Sequence, residues 1–253
     1  MLQPTILRFD SIDSTNLEAI RQAKLGIPEG TCIVAREQTA GRGRLDRMWH
    51  SAKDAGLYFS IILRPQFAIS DWPLLTLMAA LAVSDAVWKA CGVRVDIKWP
   101  NDVCASDRKL CGILAETVET SIGPAAIVGI GINLRKEAVR EDLMPSATSI
   151  QELCEGALDD QRILNELVTA LAERYELLQR DGGFEQTIRE WCAHSSYAFD
   201  RRVRVSLNDE VFQGVTRGLD RDGALRVELL NGKIRIVRAG DVTAVRPASK
   251  EPQ

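Results

Sequence analysis

"KLCGILAETVETSIGPAAIVGIGINL", residues 109–134, contains two apolar runs of strand composition parted by a Gly-Pro turn at 123 and 124. Strands that follow one another with no helix between them argue for an α+β or mixed sheet rather than strict βαβ alternation. Just upstream, "VRVDIKW" (93–99) alternates Val93, Val95 and Ile97 as a strand that delivers "KWPND" into a turn. Before it, the spacing predicts a long helix from Asp71 to Cys91, capped by Asp71, with Pro73 in its first turn and Gly92 beyond its end.

The N-terminal third adds strands at "TILRF" (5–9), "TCIVARE" (31–37) and "GLYFSIILRP" (56–65). Between the first two lies a helix in which Thr15 and Glu18 form a capping-box signature, Leu17, Ile20 and Leu25 an apolar stripe, and Gly26 the stop. Ser14, Thr15 and Asn16 therefore stand at a helix mouth, where free backbone N–H groups accumulate. Helices resume at 148–155, 160–180 and 184–193. Past residue 200 the texture changes to short strands, "RVRVSL", "EVFQGVTRGL", "ALRVELL" and "KIRIVRA", separated by "ND", "DRDG" and "NG". Asn231-Gly232 is a two-residue hairpin signal. Residues 1–199 are thus expected to form one domain, 200–247 a small β-barrel and 248–253 a tail.

Composition limits the function classes. With 32 Lys+Arg against 35 Asp+Glu the net charge is −3, so no global basic field draws the chain to nucleic acid or to an anionic membrane. No signal peptide is read at the N-terminus, and no stretch is expected to approach the length of a membrane span, which points to a cytoplasmic protein. Six cysteines without C-x-x-C pairing read as buried small hydrophobes rather than zinc ligands or disulfides. Two isolated histidines, His50 and His194, make no metal cluster, and nothing recommends a nucleophilic triad built on either.

Three motifs stand out, each ambiguous alone. "EQTAGRGRLDRMWH" (37–50) concentrates arginine forks and glycines in a loop that could grip phosphate, nucleic acid or carboxylate, or be a solvated surface. It lacks the spacing of a Walker loop, which excludes a P-loop NTPase. "GIGINL" (129–134) lies within a strand and lacks the third glycine and following helix of a dinucleotide fingerprint. Its glycines admit close approach of a flat ligand or of neighbouring backbone, and Asn133 at its end could read a base edge. "KWPNDV" (98–103) suits an Asx turn, yet the connection to "DRKLCGIL" is short enough to return Lys109 towards Asp102, a pairing suited to phosphate or acyl chemistry.

Taken in order, "DSTN", "EQTAGRGR" with Trp49, "KWPND", "KLCGIL", "GIGINL" and "ATSI" closely resemble the successive blocks of the biotin protein ligase family, over residues 7 to about 247. The resemblance implies a class II synthetase-like catalytic domain, a mixed sheet packed with helices, followed by an SH3-like barrel. It also implies activation of biotin by ATP with Mg²⁺ to biotinyl-5′-AMP, release of pyrophosphate, and transfer of the biotinyl group to a lysine of a biotin carboxyl carrier protein. By the same resemblance Ser14, Thr15, Gln38, Gly41, Arg42 and Lys109 bind biotin, and Arg44, Trp49, Asn101, Asn133 and Ser149 neighbour the nucleotide. Lys109 and Arg44 stabilise developing charge, and Asp102 accepts a proton from the acceptor lysine. No dedicated protein site for a metal is expected; Mg²⁺ arrives with ATP.

Two departures bear on this. Many family members carry glycine where this chain has Asp46, a charge expected to pair Arg44 or Arg47 within the lid. The catalytic blocks begin within fifteen residues of Met1, so the expectation is a monofunctional ligase with no DNA-binding domain. Exposed sheet edges suit a homodimer. The nearest rival reading is a lipoate-protein ligase or octanoyltransferase of the same fold; a rival from another class is a nucleic-acid-binding module, which the negative charge and sparse aromatics oppose.

Overall fold

In the computed structural model, which describes residues 2–154, 156–207 and 210–244, the two strands around the Gly-Pro turn sit inside a seven-stranded mixed sheet. They are β6 (Arg108–Val118) and β7 (Ala125–Asn133), and they pair antiparallel from Cys111↔Ile132 to Val118↔Ala125. With β1 (Thr5–Phe9), β2 (Thr31–Ala35), β3 (Gly56–Leu63), β4 (Asp96–Lys98) and β5 (Asp102–Ala105), the order across the sheet is β1-β2-β3-β7-β6-β5-β4. Only β1 and β2 run parallel, with the helix α1 (Thr15–Lys24) as their crossover.

The period-2 alternation of β7 explains both the core and the opening beside it. Ala126, Val128, Ile130 and Ile132 turn to one face and join the main core, covered by α2 (Leu74–Cys91) and α4 (Asp160–Leu178). Ala125 and Ile127 turn to the other face and pack with Ile33, Ile62 and the Ala19 and Ala23 side of α1. Further along that second face come Gly129 and Gly131, with Gly131 opposite Gly112 of β6 and Gly129 opposite Ser60 of β3. Side chains are thus missing from the sheet just past the mouth of α1.

Several local expectations are corrected. Ser14, in extended backbone, heads α1, and the Thr15–Glu18 box does not form because the Thr15 hydroxyl is spent on Gln38. Asp71 lies in a 3₁₀ turn (Ile69–Asp71) and makes no cap; α2 begins at Leu74 and ends on Gly92 at φ 67°. Strand pairing at "VRVDIKW" is confined to Asp96–Lys98; residues 99–101 make the expected turn, and Asp102 already opens the short strand β5. The expectation that no stretch approaches a membrane span fails for Leu74–Cys91, whose mean hydropathy is 1.5. It is apolar around most of its circumference, apart from Asp85 and Lys89, because it is a core helix wedged between the sheet and α4.

A short helix α3 (Ile150–Leu153) and α5 (Gly183–Ala193) complete the helical layer. The C-terminal strands β8 (Phe199–Leu207), β9 (Glu210–Leu219), β10 (Leu225–Glu228), β11 (Ile234–Val237) and β12 (Asp241–Ala244) form a separate antiparallel sheet in the order β11-β10-β9-β8-β12. β12 is absent from the sequence reading. The hairpin at Asn231-Gly232 uses three loop residues, closed by Leu229 N–H donating to Lys233 O with Gly232 at φ 77°. The "ND" turn at 208–209, residues 245–247 and the tail lie outside the described residues.

Candidate functional site

The glycine stretch of the sheet is the floor of a cavity of about 500 Å³, a volume in the range of small-molecule sites. Each floor glycine lies in tight contact with what stands on it. A Cβ at Gly129 would meet Asn16 Oδ1 at 1.9 Å, and one at Gly131 the Trp49 indole at 2.5 Å. At Gly112 it would meet Trp49 at 2.9 Å and Lys109 Cε at 3.2 Å. The flat group lying against the "GIGIN" glycines is therefore the chain's own Trp49, whose Nε1 is buried and has no hydrogen-bond partner among the described residues.

The mouth of α1 forms the polar end of the cavity. Gln38 Oε1 accepts from the Thr15 backbone N–H at 2.8 Å and from its hydroxyl at 3.1 Å, while Gln38 Nε2 donates to Ser51 Oγ. Ser60 Oγ lies 2.8 Å from Thr15 Oγ1 and 2.6 Å from Asn16 Oδ1. Asn16 Nδ2 donates to Leu114 O and to Glu116 Oε2. Ser14, Thr15 and Asn16 are all buried, so this wall of hydroxyl and amide groups is fixed before any ligand arrives.

At the other end the β5–β6 hairpin turns tightly on Ser106 and Asp107, both at positive φ, and returns Lys109 to Asp102 with Nζ 2.6 Å from Oδ1. The contact is off the hydrogen-bond direction, and this sealed oxygen has no other partner among the described residues. Lys109 Nζ also lies 5.4 Å from the centre of the Trp49 ring. Asn101 Nδ2 donates to Ile113 O, and Trp99 Nε1 donates to Gly223 O in the turn between β9 and β10, which fixes the "KWPND" turn at both ends. Burial pushes the nearby Cys104 thiol up to about 12 and raises that of Cys111 as well, so neither offers a thiolate nucleophile at neutral pH.

The arginine loop covers the cavity as a closed hairpin. Gly43 N–H donates to Arg47 O at 2.7 Å and Trp49 N–H to Gly41 O at 2.9 Å, with Leu45 and Asp46 at φ 53° and 56° in the turn. Arg42 pairs with Glu116 at 3.0 Å, and Arg47 pairs with Asp241 of β12. Arg44 reaches Asn101 Oδ1 and Gly240 O and has no carboxylate partner among the described residues; burial draws its pKa downward. The expected pairing of Asp46 with Arg44 or Arg47 does not occur, because both arginines turn towards the C-terminal sheet. Six cationic side chains (Arg42, Arg44, Arg47, Lys98, Lys109 and Arg140) line the cavity against two carboxylates, Asp102 and Asp241. In a chain of net charge −3 that local excess selects an anionic ligand.

Of the candidates read from sequence, Ser14, Thr15, Gln38, Arg42, Arg44, Trp49, Asn101, Asp102, Lys109 and Asn133 line this one cavity. Asn133 is engaged by its chain, donating to Thr148 O at 3.0 Å. Gly41 and Ser149 are not in the lining. Gly41 lets the Trp49 and Ser51 segment pass close by, and Ser149 is fully buried at the head of α3, where its carbonyl accepts from Glu152. Sequence reasoning missed Gly112, whose signal is its strand parity with Gly129 and Gly131. It also missed the segments around Val139–Leu143 and Asp241–Thr243, which only tertiary packing brings here.

Residues 8–133 match the Biotin/lipoate A/B protein ligase family, and residues 198–243 match the Biotin protein ligase C terminal domain. The chain is 35% identical over 235 residues to a bifunctional ligase/repressor BirA of Bacillus spizizenii, covering 91% of this chain and 71% of that one. It is 34% identical over 239 residues to a biotin–[acetyl-CoA-carboxylase] ligase of Mycobacterium tuberculosis, covering 92% and 86%. The structure of a biotin protein ligase from Aquifex aeolicus in complex with biotin and ATP superposes with a TM-score of 0.82 at 28% identity, over 96% of this chain and 99% of that one.

Proposed function

The chain belongs to the Biotin/lipoate A/B protein ligase family, and from that premise we propose that it is a biotin–[biotin carboxyl carrier protein] ligase. It condenses biotin with ATP to biotinyl-5′-AMP and pyrophosphate, then transfers the biotinyl group to a lysine of a biotin carboxyl carrier protein. The observation that carries this reading is the Lys109–Asp102 pair at the rim of a glycine-floored cavity, beneath a loop that holds one uncompensated arginine.

In this mechanism the mouth of α1 and Gln38 receive the polar ring end of biotin, and the carboxylate points to Lys109. A carboxylate is a poor acyl donor, and its attack on the α-phosphate of ATP gives it an adenylate leaving group. Negative charge builds on the phosphate as the oxygens crowd, and Lys109 and Arg44, fixed beforehand by their neighbours, stabilise it without reorganisation. Trp49 covers the intermediate and keeps water from it, and Asn101 and Asn133 border the nucleotide. Mg²⁺ entering with ATP would supply neutralisation of the triphosphate's charge, beside the charge that Lys109 and Arg44 provide.

The acceptor lysine, with an ordinary pKa of about 10.4, arrives as an ammonium. Asp102 orients it and accepts its proton; the amine then attacks the mixed anhydride and AMP departs. A second cavity, of about 720 Å³, shares Arg44, Trp99 and Asn101 with the first and opens along Ala115–Thr117 of β6. It offers a protein acceptor an approach to the shared rim of the first cavity. ATP as co-substrate and six free thiols fit a cytoplasmic enzyme. Exchange of labelled pyrophosphate into ATP, compared with biotin, with lipoate and with no acid, tests the reading. Biotin-dependent exchange is expected; exchange driven by lipoate, or independent of any acid, would overturn it.

A further inference from the structure

Two carboxylates outside the catalytic set hold the arginine loop at its two ends. Glu116, on β6, pairs with Arg42, whose terminal nitrogen lies 3.0 Å from Oε1 and donates to Oε2 at 3.3 Å, and Asn16 Nδ2 donates to the same Oε2 at 2.8 Å. It thereby ties the loop to the polar wall of the cavity. Asp241, on β12, takes Arg47, while the preceding Gly240 O accepts from both terminal nitrogens of Arg44 at 3.4 Å. No block of the sequence reading includes either carboxylate, and each joins the loop to a different sheet. We propose that Glu116 and Asp241 are positioning residues that latch the arginine loop over the cavity, leaving Arg44 as the loop's one arginine free to meet an anionic ligand.

The geometry explains why three arginines stand so close together. Unpaired, they would repel one another and splay the loop. With the outer two neutralised by the chain, the hairpin bonds Gly43 N–H to Arg47 O and Trp49 N–H to Gly41 O can persist. Both latch pairs are partly exposed, with side-chain exposures of 40% and 21% for Arg42 and Glu116 and of 63% and 33% for Arg47 and Asp241. Each is therefore worth a small factor rather than a large one.

The inference deepens the ligase reading and rests on it for its ligand, so the test has one arm that needs no ligand. In the full chain without ligand, Glu116→Gln and Asp241→Asn should each speed hydrogen exchange at the Gly43, Arg47 and Trp49 amides by roughly two- to fivefold. The amides of β3 should be unchanged. In pyrophosphate exchange, the KM for biotin should rise by a similar factor while kcat changes less, as expected when ground-state holding is lost. Glu116→Asp and Asp241→Glu should recover part of the effect. The swap Arg47→Glu with Asp241→Arg should exchange more slowly than Asp241→Arg alone. Wild-type loop exchange in both single variants, a swap no better than Asp241→Arg, or an unchanged KM would each overturn the latch. Failure of the unaltered chain to exchange with biotin would instead count against the ligase reading, and loop hydrogen exchange would still decide the latch.

Discussion

Gly129 and Gly131 lie two residues apart on one face of β7, yet adding the same methyl group to each should have very unequal consequences for stability. At Gly129 the new Cβ meets Asn16 Oδ1 at 1.9 Å, so Asn16 must move by more than 1 Å. Asn16 cannot do that cheaply, since it is buried and bonded to Leu114 O, Glu116 and Ser60. Overpacking costs about 1–3 kcal/mol, and leaving even one buried polar atom unpaired adds about 1–3 kcal/mol. Gly129→Ala should therefore cost about 2–6 kcal/mol of the roughly 5–15 kcal/mol that holds a typical domain. At Gly131 the obstacle is the Trp49 indole at 2.5 Å, carried on a loop and with its N–H unbonded. The indole can swing away, so Gly131→Ala should cost the fold about 1 kcal/mol or less while disturbing the cavity. Urea titrations followed by far-ultraviolet circular dichroism measure both. Equal midpoint shifts would refute the reasoning, as would a Gly129→Ala, Asn16→Ala double variant less stable than Asn16→Ala alone.

Asp102→Ala should slow transfer to the carrier lysine by about a hundredfold or more while lowering biotin-dependent pyrophosphate exchange far less; single-turnover rates in which both half-reactions fall equally would sink the assignment. Arg44→Gln removes charge-assisted bonds worth about 1.5–3 kcal/mol, so the KM for ATP or biotin should rise roughly tenfold to a hundredfold in steady-state exchange. Residues 41–48 should gain protection from hydrogen exchange when biotin or its adenylate binds, and equal protection in both states would count against a lid. Burial pushes Cys32 and Cys104 up to about 12, so at pH 8 in the folded chain they should react with iodoacetamide about a thousandfold more slowly than an ordinary thiol. Because these raised values favour the neutral thiol, their contribution to stability is complete below about pH 9 and is lost as pH rises towards 12, which alkaline denaturation of Cys104→Ala against the unaltered chain can measure.

What the sequence made legible was whatever local chemistry decides alone. The Gly-Pro turn placed β6 beside β7, Gly92 ended α2, and the short link from Asp102 to Lys109 brought a carboxylate to an ammonium. Ordered motifs then assembled most of one cavity wall. Where the reading failed, a distant partner outbid a local signal. Thr15 has a capping residue's hydroxyl but gives it to Gln38, twenty-three positions away. Asp46 sits between two arginines and pairs with neither, because Asp241 and Gly240 approach from a different sheet. β5, four residues long, carries too little periodicity to be separated from the turn before it. Ser149 follows a recognisable block but is turned into the core by the helix it heads.

Helix α2 has a consequence for biosynthesis. It is apolar around most of its circumference, and much of its cover is α4, which lies far downstream in the chain and ends at Leu178. At about 5–20 residues per second, a ribosome takes roughly 4–17 s to pass from Cys91 to that point. Through that interval the nascent chain carries a bare segment with the hydropathy of a membrane span. The early translation product is thus a natural client for holdase chaperones or for the membrane-targeting machinery, and slowed synthesis between residues 91 and 178 should lower the yield of folded protein more than a pause after Leu178.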